Sequence, residues 1–348
     1  MNSRMLASIV KFGLWGGNPP KELDCSNADD TLWNRLIGDA KCQGVTALLY
    51  DAAVNLPADL RPSRRLLFGL ASAAQTIEND NHERMSALNR FTQDFSDVVN
   101  GKVVVVKGFS LAWLYPRPLH RECGDIDLYT GKYTDVLCSA LRKEGVEVDR
   151  SDPRHDSFLF EGVRFESHSY LLYHGDDLAW ETVPMENAPG NMWRLSDIQS
   201  AFFVAKHIEH HAVFFHTPVL LRSLVDWAVI LHSGLNYEEF RAMAQGTDVG
   251  VFADLMTAYC ARIFSFSVPF DVKCLENRGL TAEDFEVLYS KCSTRHKLAV
   301  VRVARRAGKY LRYNRKYKSI YGQSMFRRFY FKFVIQAVKQ RWRQGLSL

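Results

Sequence analysis

The sequence predicts an α+β protein: a small mixed sheet flanked by helical regions on its N-terminal and C-terminal sides. Three observations carry this. Residues 103–106 are four consecutive valines, closed by Lys107-Gly108 and followed by the apolar run Phe109–Tyr115. A short β-branched run bounded by a turn reads as a buried central strand. Around it, Asp125-Ile126-Asp127-Leu128 and Val163-Arg164-Phe165-Glu166-Ser167-His168 alternate polar and apolar side chains with the period of a strand. Elsewhere the apolar spacing is helical, and no proline interrupts the long run Arg64–Val99.

In chain order, Met1–Trp15 is mildly apolar but broken by Arg4 and Lys11, and reads as an amphipathic helix rather than a signal peptide. Ser26-Asn27-Ala28-Asp29 offers a cap for a helix over 30–40, and Val45–Val54 continues as a short apolar helix. After Pro57 and Pro62, the run Arg64–Val99 carries Leu67, Leu70, Ala74 and Ile77, then Met85, Leu88, Phe91 and Phe95. That stripe is expected to pack on the sheet rather than hold a cofactor. The core then reads strand 102–106, helix 109–115, strand 125–129, helix 133–143, and short strands near 146–149, 157–161 and 163–168. Residues 174–192, with Gly175, Pro184, Pro189 and Gly190, read as a polar loop long enough for a lid or linker. From Ser196 the spacing is helical again. The expected segments are a helical region 1–98, an α/β core 99–175, a helical region 176–286 and a basic aromatic helical tail 287–348.

The 348 residues leave room for two or three modules, and 47% hydrophobic with 24% charged content is that of a soluble globular protein. Seven scattered cysteines, odd in number and without a Cys-x-x-Cys pair, argue against a disulfide framework or zinc knuckle and for a reducing compartment. No apolar run reaches the length that spans a bilayer, so a cytoplasmic protein is expected. The net charge of +5 hides an asymmetry: residues 287–348 hold 17 Lys or Arg and no acid, leaving 27 bases against 39 acids elsewhere. In the tail, Tyr310, Tyr313, Tyr317 and Tyr321 recur among cations, and Phe329, Phe331, Phe333 and Trp342 follow among Arg327, Arg328 and Lys332. Three readings of 295–343 stay open: packing on the body, peripheral binding to an anionic inner-membrane surface, and nucleic-acid binding.

The chemistry concentrates at 103–128. Strand alternation points Asp125 and Asp127 one way and Ile126 and Leu128 into the core. Two acids this close repel unless a cation lies between them, and hard carboxylate oxygens suit Mg²⁺. The Lys107-Gly108 turn before a helix start is a phosphate-binding arrangement. Glu166, on the polar face of the strand 163–168, is the candidate third acid. Together these read as a site for metal-assisted phosphoryl transfer. His207, His210 and His211 share one helix, but the order His207-Ile208-Glu209-His210-His211 is not the His-Glu-x-x-His of a metalloprotease.

Lys107-Gly108, Tyr115-Pro116, Arg121 and Asp125-Ile126-Asp127-Leu128 resemble the uncharacterised nucleotidyltransferase family of the DNA polymerase beta-like superfamily. The resemblance continues through Glu166, His168, the helix 201–211 and Asp226-Trp227. It implies a nucleotidyltransferase core that moves a nucleoside monophosphate from an NTP to an acceptor. On that implication Asp125 and Asp127 hold two Mg²⁺ ions about 3.5–4 Å apart, with Mn²⁺ as an alternative. Glu166 serves the ion that activates the acceptor. Lys107, Gly108 and Ser110 hold the triphosphate, Arg121 faces pyrophosphate, and His207 faces the nucleotide or acceptor. The chain has Lys-Gly where the superfamily usually has Gly-Ser, and Glu where many members have Asp. The alternative is a non-catalytic binding or regulatory protein, toxin–antitoxin-like, that keeps the fold. The acceptor is unspecified.

Overall fold

A computed structural model describes residues 3–287 apart from 153–154, 173–177, 187, 189–190, 215–218, 246 and 248. The tail 287–348, and with it the membrane or nucleic-acid reading, lies outside the described residues apart from Val287.

Four helices come first: α1 (Ser3–Trp15), α2 (Asp30–Gln43), α3 (Thr46–Asn55) and α4 (Arg64–Phe95). Asp29 caps α2 by accepting from the Leu32 amide, as the Ser26–Asp29 cluster predicts. Next come β1 (Val103–Val106), α5 (Gly108–Ala112), β2 (Ile126–Tyr129), α6 (Thr134–Lys143), β3 (Val148–Asp149), β4 (Asp156–Phe160) and β5 (Val163–His168). They are followed by β6 (Thr182–Pro184), β7 (Met192–Leu195), α7 (Asp197–Glu209) with a π turn over His210–Phe214, α8 (Leu221–His232), α9 (Tyr237–Ala244), α10 (Val249–Phe264) and α11 (Lys273–Glu276).

The seven strands form one mixed sheet in the order β3-β4-β5-β2-β1-β7-β6. β1 runs antiparallel to β2 and parallel to β7, while β2 is parallel to β5. Two expectations are corrected here. The segment 174–192 is not one loop, because β6 and β7 lie in it and extend the sheet beyond residue 175. Strands of three and four residues, one ending at an edge proline, leave little periodicity to read. The helix expected over 109–115 is also shorter, five residues at 108–112.

Both faces of β1 are buried. Val103 and Val105 join Leu88, Phe91, Phe95, Ile126, Leu128 and Phe165 in the core beneath α4. Val104 and Val106 pack on the opposite face with Leu171, Leu195 and Phe203. Phe91 stacks on Phe165 with ring centroids 5.1 Å apart, so α4 is seated on β5 by an aromatic pair.

The chain divides into two units: residues 1–204 with 225–236, and 205–224 with 237 onward. The first holds the sheet. In the second, the hydroxyl of Tyr237 on α9 donates to Asp254 on α10, and Phe285 packs against Phe252 and Tyr259 of α10. No helix among the described residues is long and apolar enough to cross a membrane.

Candidate active site

Strand register assembles the acids. Asp127 on β2 is the lateral partner of Glu166 on β5 and of Val106 at the end of β1. Laterally paired residues share a sheet face, so Asp127 and Glu166 project together while Ile126 and Leu128 are buried on the other side. Asp125, just before β2, is near enough to Glu166 for its charge to help raise the Glu166 pKa. Lys107, the residue after β1, donates its Nζ to Asp127 Oδ1 at 2.6 Å. Asp125, Asp127, Glu166 and Lys107 therefore meet at one edge of the sheet.

Two histidines join them. His168 Nε2 donates to Asp127 Oδ1 at 3.0 Å and lies 4.0 Å from Glu166 Oε2. His155 Nε2 lies 3.2 Å from Glu166 Oε1. Ligand atoms of His155, Glu166 and His168 all fall within 4.8 Å of one another. His168 was visible in the sequence as a polar-face residue, but His155 was missed. The signal was present in the hairpin: Glu161 and Gly162 both have positive φ, 49° and 77°, as a two-residue turn of the primed type requires. That turn fixes the pairs Asp156↔Ser167 and Ser157↔Glu166, and one further step sets His155 opposite His168.

The electrostatics of the group are lopsided. Burial alone would raise the pKa of Asp127, but the Lys107 ammonium and the His168 hydrogen bond outweigh it and hold this carboxyl well below the usual range. Glu166 goes the other way. Burial, then repulsion by Asp125 and Asp127, pushes it up to about 7 against the opposing pull of Lys107.

Lys107 holds its position at a backbone cost. Its φ of 57° and ψ of −133° lie in a region that glycine tolerates and other residues occupy only under constraint. This is the position at which the superfamily usually carries glycine. Gly108 serves close approach: a Cβ there would lie 2.7 Å from Arg121 Nη1 and 3.2 Å from Nη2. Ser110 donates its hydroxyl to the Lys107 carbonyl and closes the turn. With α5 only five residues long, its dipole offers little to an anion, and the positive charge at this turn is that of Lys107.

Arg121 is placed differently from the expectation that it faces pyrophosphate. Its Nε and Nη2 each donate to Asp226 at 2.8 Å, a bidentate pair with both side chains buried. Tyr115 Oη donates to the same Asp226 Oδ1 at 2.6 Å. The guanidinium charge is thus answered within the fold, and Arg121 underlies the Gly108 turn as a support. His207 belongs to the second unit, on α7, with its ring centroid 4.4 Å from that of His211.

The loop bearing these residues is braced by the N-terminal helices. Asn81 donates to the carbonyls of Leu119 and Arg121, and Arg84 to that of Gly124. Buried His120 bridges Asp51 of α3 and Glu78 of α4. The chain belongs to the uncharacterised nucleotidyltransferase family, whose model matches residues 29–265. The match starts at the cap of α2 and ends just after α10, so the bracing helices fall within the family's extent along with the sheet. No curated protein and no solved structure matches the chain.

Next to the turn lies a cavity of about 510 Å³, lined by Ser110, Trp113, Met185, Arg194 and Asp197 among others. β7 pairs in parallel with β1, Val104 beside Trp193, so the chain leaving β7 at Ser196 emerges at the same sheet edge as Lys107. The indole Nε1–H of Trp113 is buried without an acceptor among the described residues.

Proposed function

We propose that this site is the active centre of a metal-dependent nucleotidyltransferase that moves a nucleoside monophosphate from an NTP to an acceptor oxygen. One observation carries the reading: Asp125, Asp127 and Glu166 converge beside Lys107-Gly108. Their hard oxygen donors fit Mg²⁺, with Mn²⁺ as the alternative. When bound, such ions would supply charge neutralisation at the phosphates and activation of the acceptor oxygen. Asp125, just before β2, and Asp127 on β2 would hold them, with Glu166 from β5. Lys107 is within reach of an anion at the same edge and would exchange its contact with Asp127 for one with phosphate. Arg121 acts at one remove, keeping Gly108 and the turn in place. The acceptor oxygen attacks the α-phosphorus and pyrophosphate leaves. The neighbouring cavity would take the nucleoside or a small acceptor, with Trp113 and Arg194 on its wall.

The non-catalytic alternative draws on one observation: the Lys107 ammonium already neutralises Asp127 from within the chain. A single experiment separates the two. The protein is incubated with each α-³²P-labelled NTP and Mg²⁺ or Mn²⁺, and pyrophosphate release and label transfer to acceptor pools are followed. Asp127→Asn should abolish transfer while the far-ultraviolet circular dichroism stays unchanged. NTP binding without release by any nucleotide would favour the binding protein, and no NTP binding at all would overturn the proposal.

A further inference from the structure

We propose that His155, Glu166 and His168 form a site for one first-row transition-metal dication of the Mn²⁺ or Zn²⁺ class, beside the Asp125–Asp127 pair.

The backbone brings these three together. Glu166 and His168 are two apart on β5 and so share a face, and the hairpin register sets His155 opposite His168 with ring centroids 5.3 Å apart. Metal–ligand bonds of about 2.0–2.2 Å put ligand atoms on one ion roughly 2.9–4.3 Å from each other. The distances from Glu166 to His155 and to His168, 3.2 and 4.0 Å, fall inside that span. The 4.8 Å bound on the whole group exceeds it by an amount that side-chain rotation covers. The side chains are 12%, 16% and 9% exposed, which removes them from bulk water but leaves an entry path.

Chemistry then selects the ion. In the structure each imidazole directs Nε2 at a carboxylate, His155 at Glu166 and His168 at Asp127. A dication could replace the protons that bridge those contacts, held by the same nitrogens and releasing protons as it binds. Two imidazoles with one carboxylate suit Mn²⁺, Fe²⁺, Co²⁺ or Zn²⁺, whereas Mg²⁺ prefers oxygen ligands and retained waters. Asp127, paired with Lys107, lies on the same side of His168 and would flank the ion. The competing reading is a hydrogen-bond network in which both histidines merely orient the carboxylates.

The assignment shares Glu166 with the function proposed above but is measured without nucleotide, so either can fail alone. The full-length protein is titrated with Co²⁺, whose visible absorption reports coordination, in a large excess of Mg²⁺. One Co²⁺ should bind and resist Mg²⁺. His155→Gln and His168→Gln, which keep hydrogen-bonding capacity but ligate poorly, should each weaken binding by at least about tenfold. Electron spin-echo spectra of the Mn²⁺-loaded unsubstituted protein should show coupled imidazole nitrogen even if those variants fold badly. The coupling should persist in His207→Gln/His211→Gln, which removes the imidazole pair on α7. Failure of Co²⁺ to bind in the Mg²⁺ excess, undiminished binding by both folded variants, absence of nitrogen coupling, or its loss with the α7 pair would each overturn the assignment.

Discussion

Arg121 and Asp127 are six residues apart, and both are buried members of ion pairs, yet their surroundings differ in kind. Around Arg121 the charges balance: one guanidinium meets one carboxylate through two parallel hydrogen bonds, and Tyr115 satisfies a remaining lone pair of Asp226. Around Asp127 they do not. Three carboxylates converge, and the ion pairs that reach them among the described residues include those from Lys107 and two histidines. The imbalance shows in Glu166, pushed up to about 7 by burial and by its acidic neighbours. A balanced buried pair supports the fold, because removing one partner strands the other. An unbalanced acid group costs the fold stability and becomes favourable when a cation arrives. The Lys107-Gly108 turn joins the two clusters, since Gly108 rests on Arg121 and Lys107 reaches Asp127.

Substitutions at the two clusters should therefore separate stability from function. The largest effect on stability is expected from Asp226→Asn, which leaves the Arg121 charge buried and unanswered and should cost about 3–5 kcal/mol in urea denaturation. A cost under about 1 kcal/mol would remove Arg121–Asp226 from the scaffold and restore Arg121 as a candidate for the ligand. Gly108→Ala should cost about 1–3 kcal/mol, because its Cβ would meet a guanidinium whose other atoms are clamped. The clash should lower the melting temperature even without ligand.

A second balanced cluster sharpens the comparison through pH. Burial would lower the pKa of His120, but its hydrogen bonds and attraction to Asp51 and Glu78 outweigh burial and raise it. A raised folded-state pKa means the contribution is complete below the ordinary value of 6.5 and is lost as pH rises through the folded value. His120→Gln should cost about 1–3 kcal/mol at low pH. The deficit against the parent protein should shrink as pH climbs above neutrality. The smallest effect belongs to the unbalanced cluster: Asp125→Asn removes like-charge repulsion and should leave the metal-free protein within about 1 kcal/mol of its parent, or slightly above it. A large destabilisation by Asp125→Asn would mean that these acids, too, are scaffold.

Much of the site was legible because it follows from local periodicity. The valine run gave β1, the alternation at 125–128 gave β2, and the alternation at 163–168 put Glu166 on the polar face of β5. What stayed hidden depends on long-range partners. Asp226 lies 105 residues from Arg121, and no local pattern says that an arginine near the Lys107-Gly108 turn will be neutralised from α8. β7 joins the sheet through β1, far away in sequence, and β6 joins only through β7, in a segment whose prolines and glycines look like a loop. His155 was within reach, since the Glu161-Gly162 turn determines which residue faces His168. The strained backbone at Lys107 left one trace: lysine stands where the superfamily usually has glycine.

The most direct test of the central claim is calorimetric titration of the full-length protein with each NTP in Mg²⁺ or Mn²⁺, run beside Asp127→Asn. The account predicts metal-dependent binding of at least one NTP. At a hundredfold excess over Kd that ligand should add about 2.7 kcal/mol to stability. Asp127→Asn should keep the native circular dichroism, whatever its own stability, and show neither metal-dependent binding nor stability added by the nucleotide. Failure of the parent protein to bind any NTP, or binding that Asp127→Asn leaves unchanged, would contradict it.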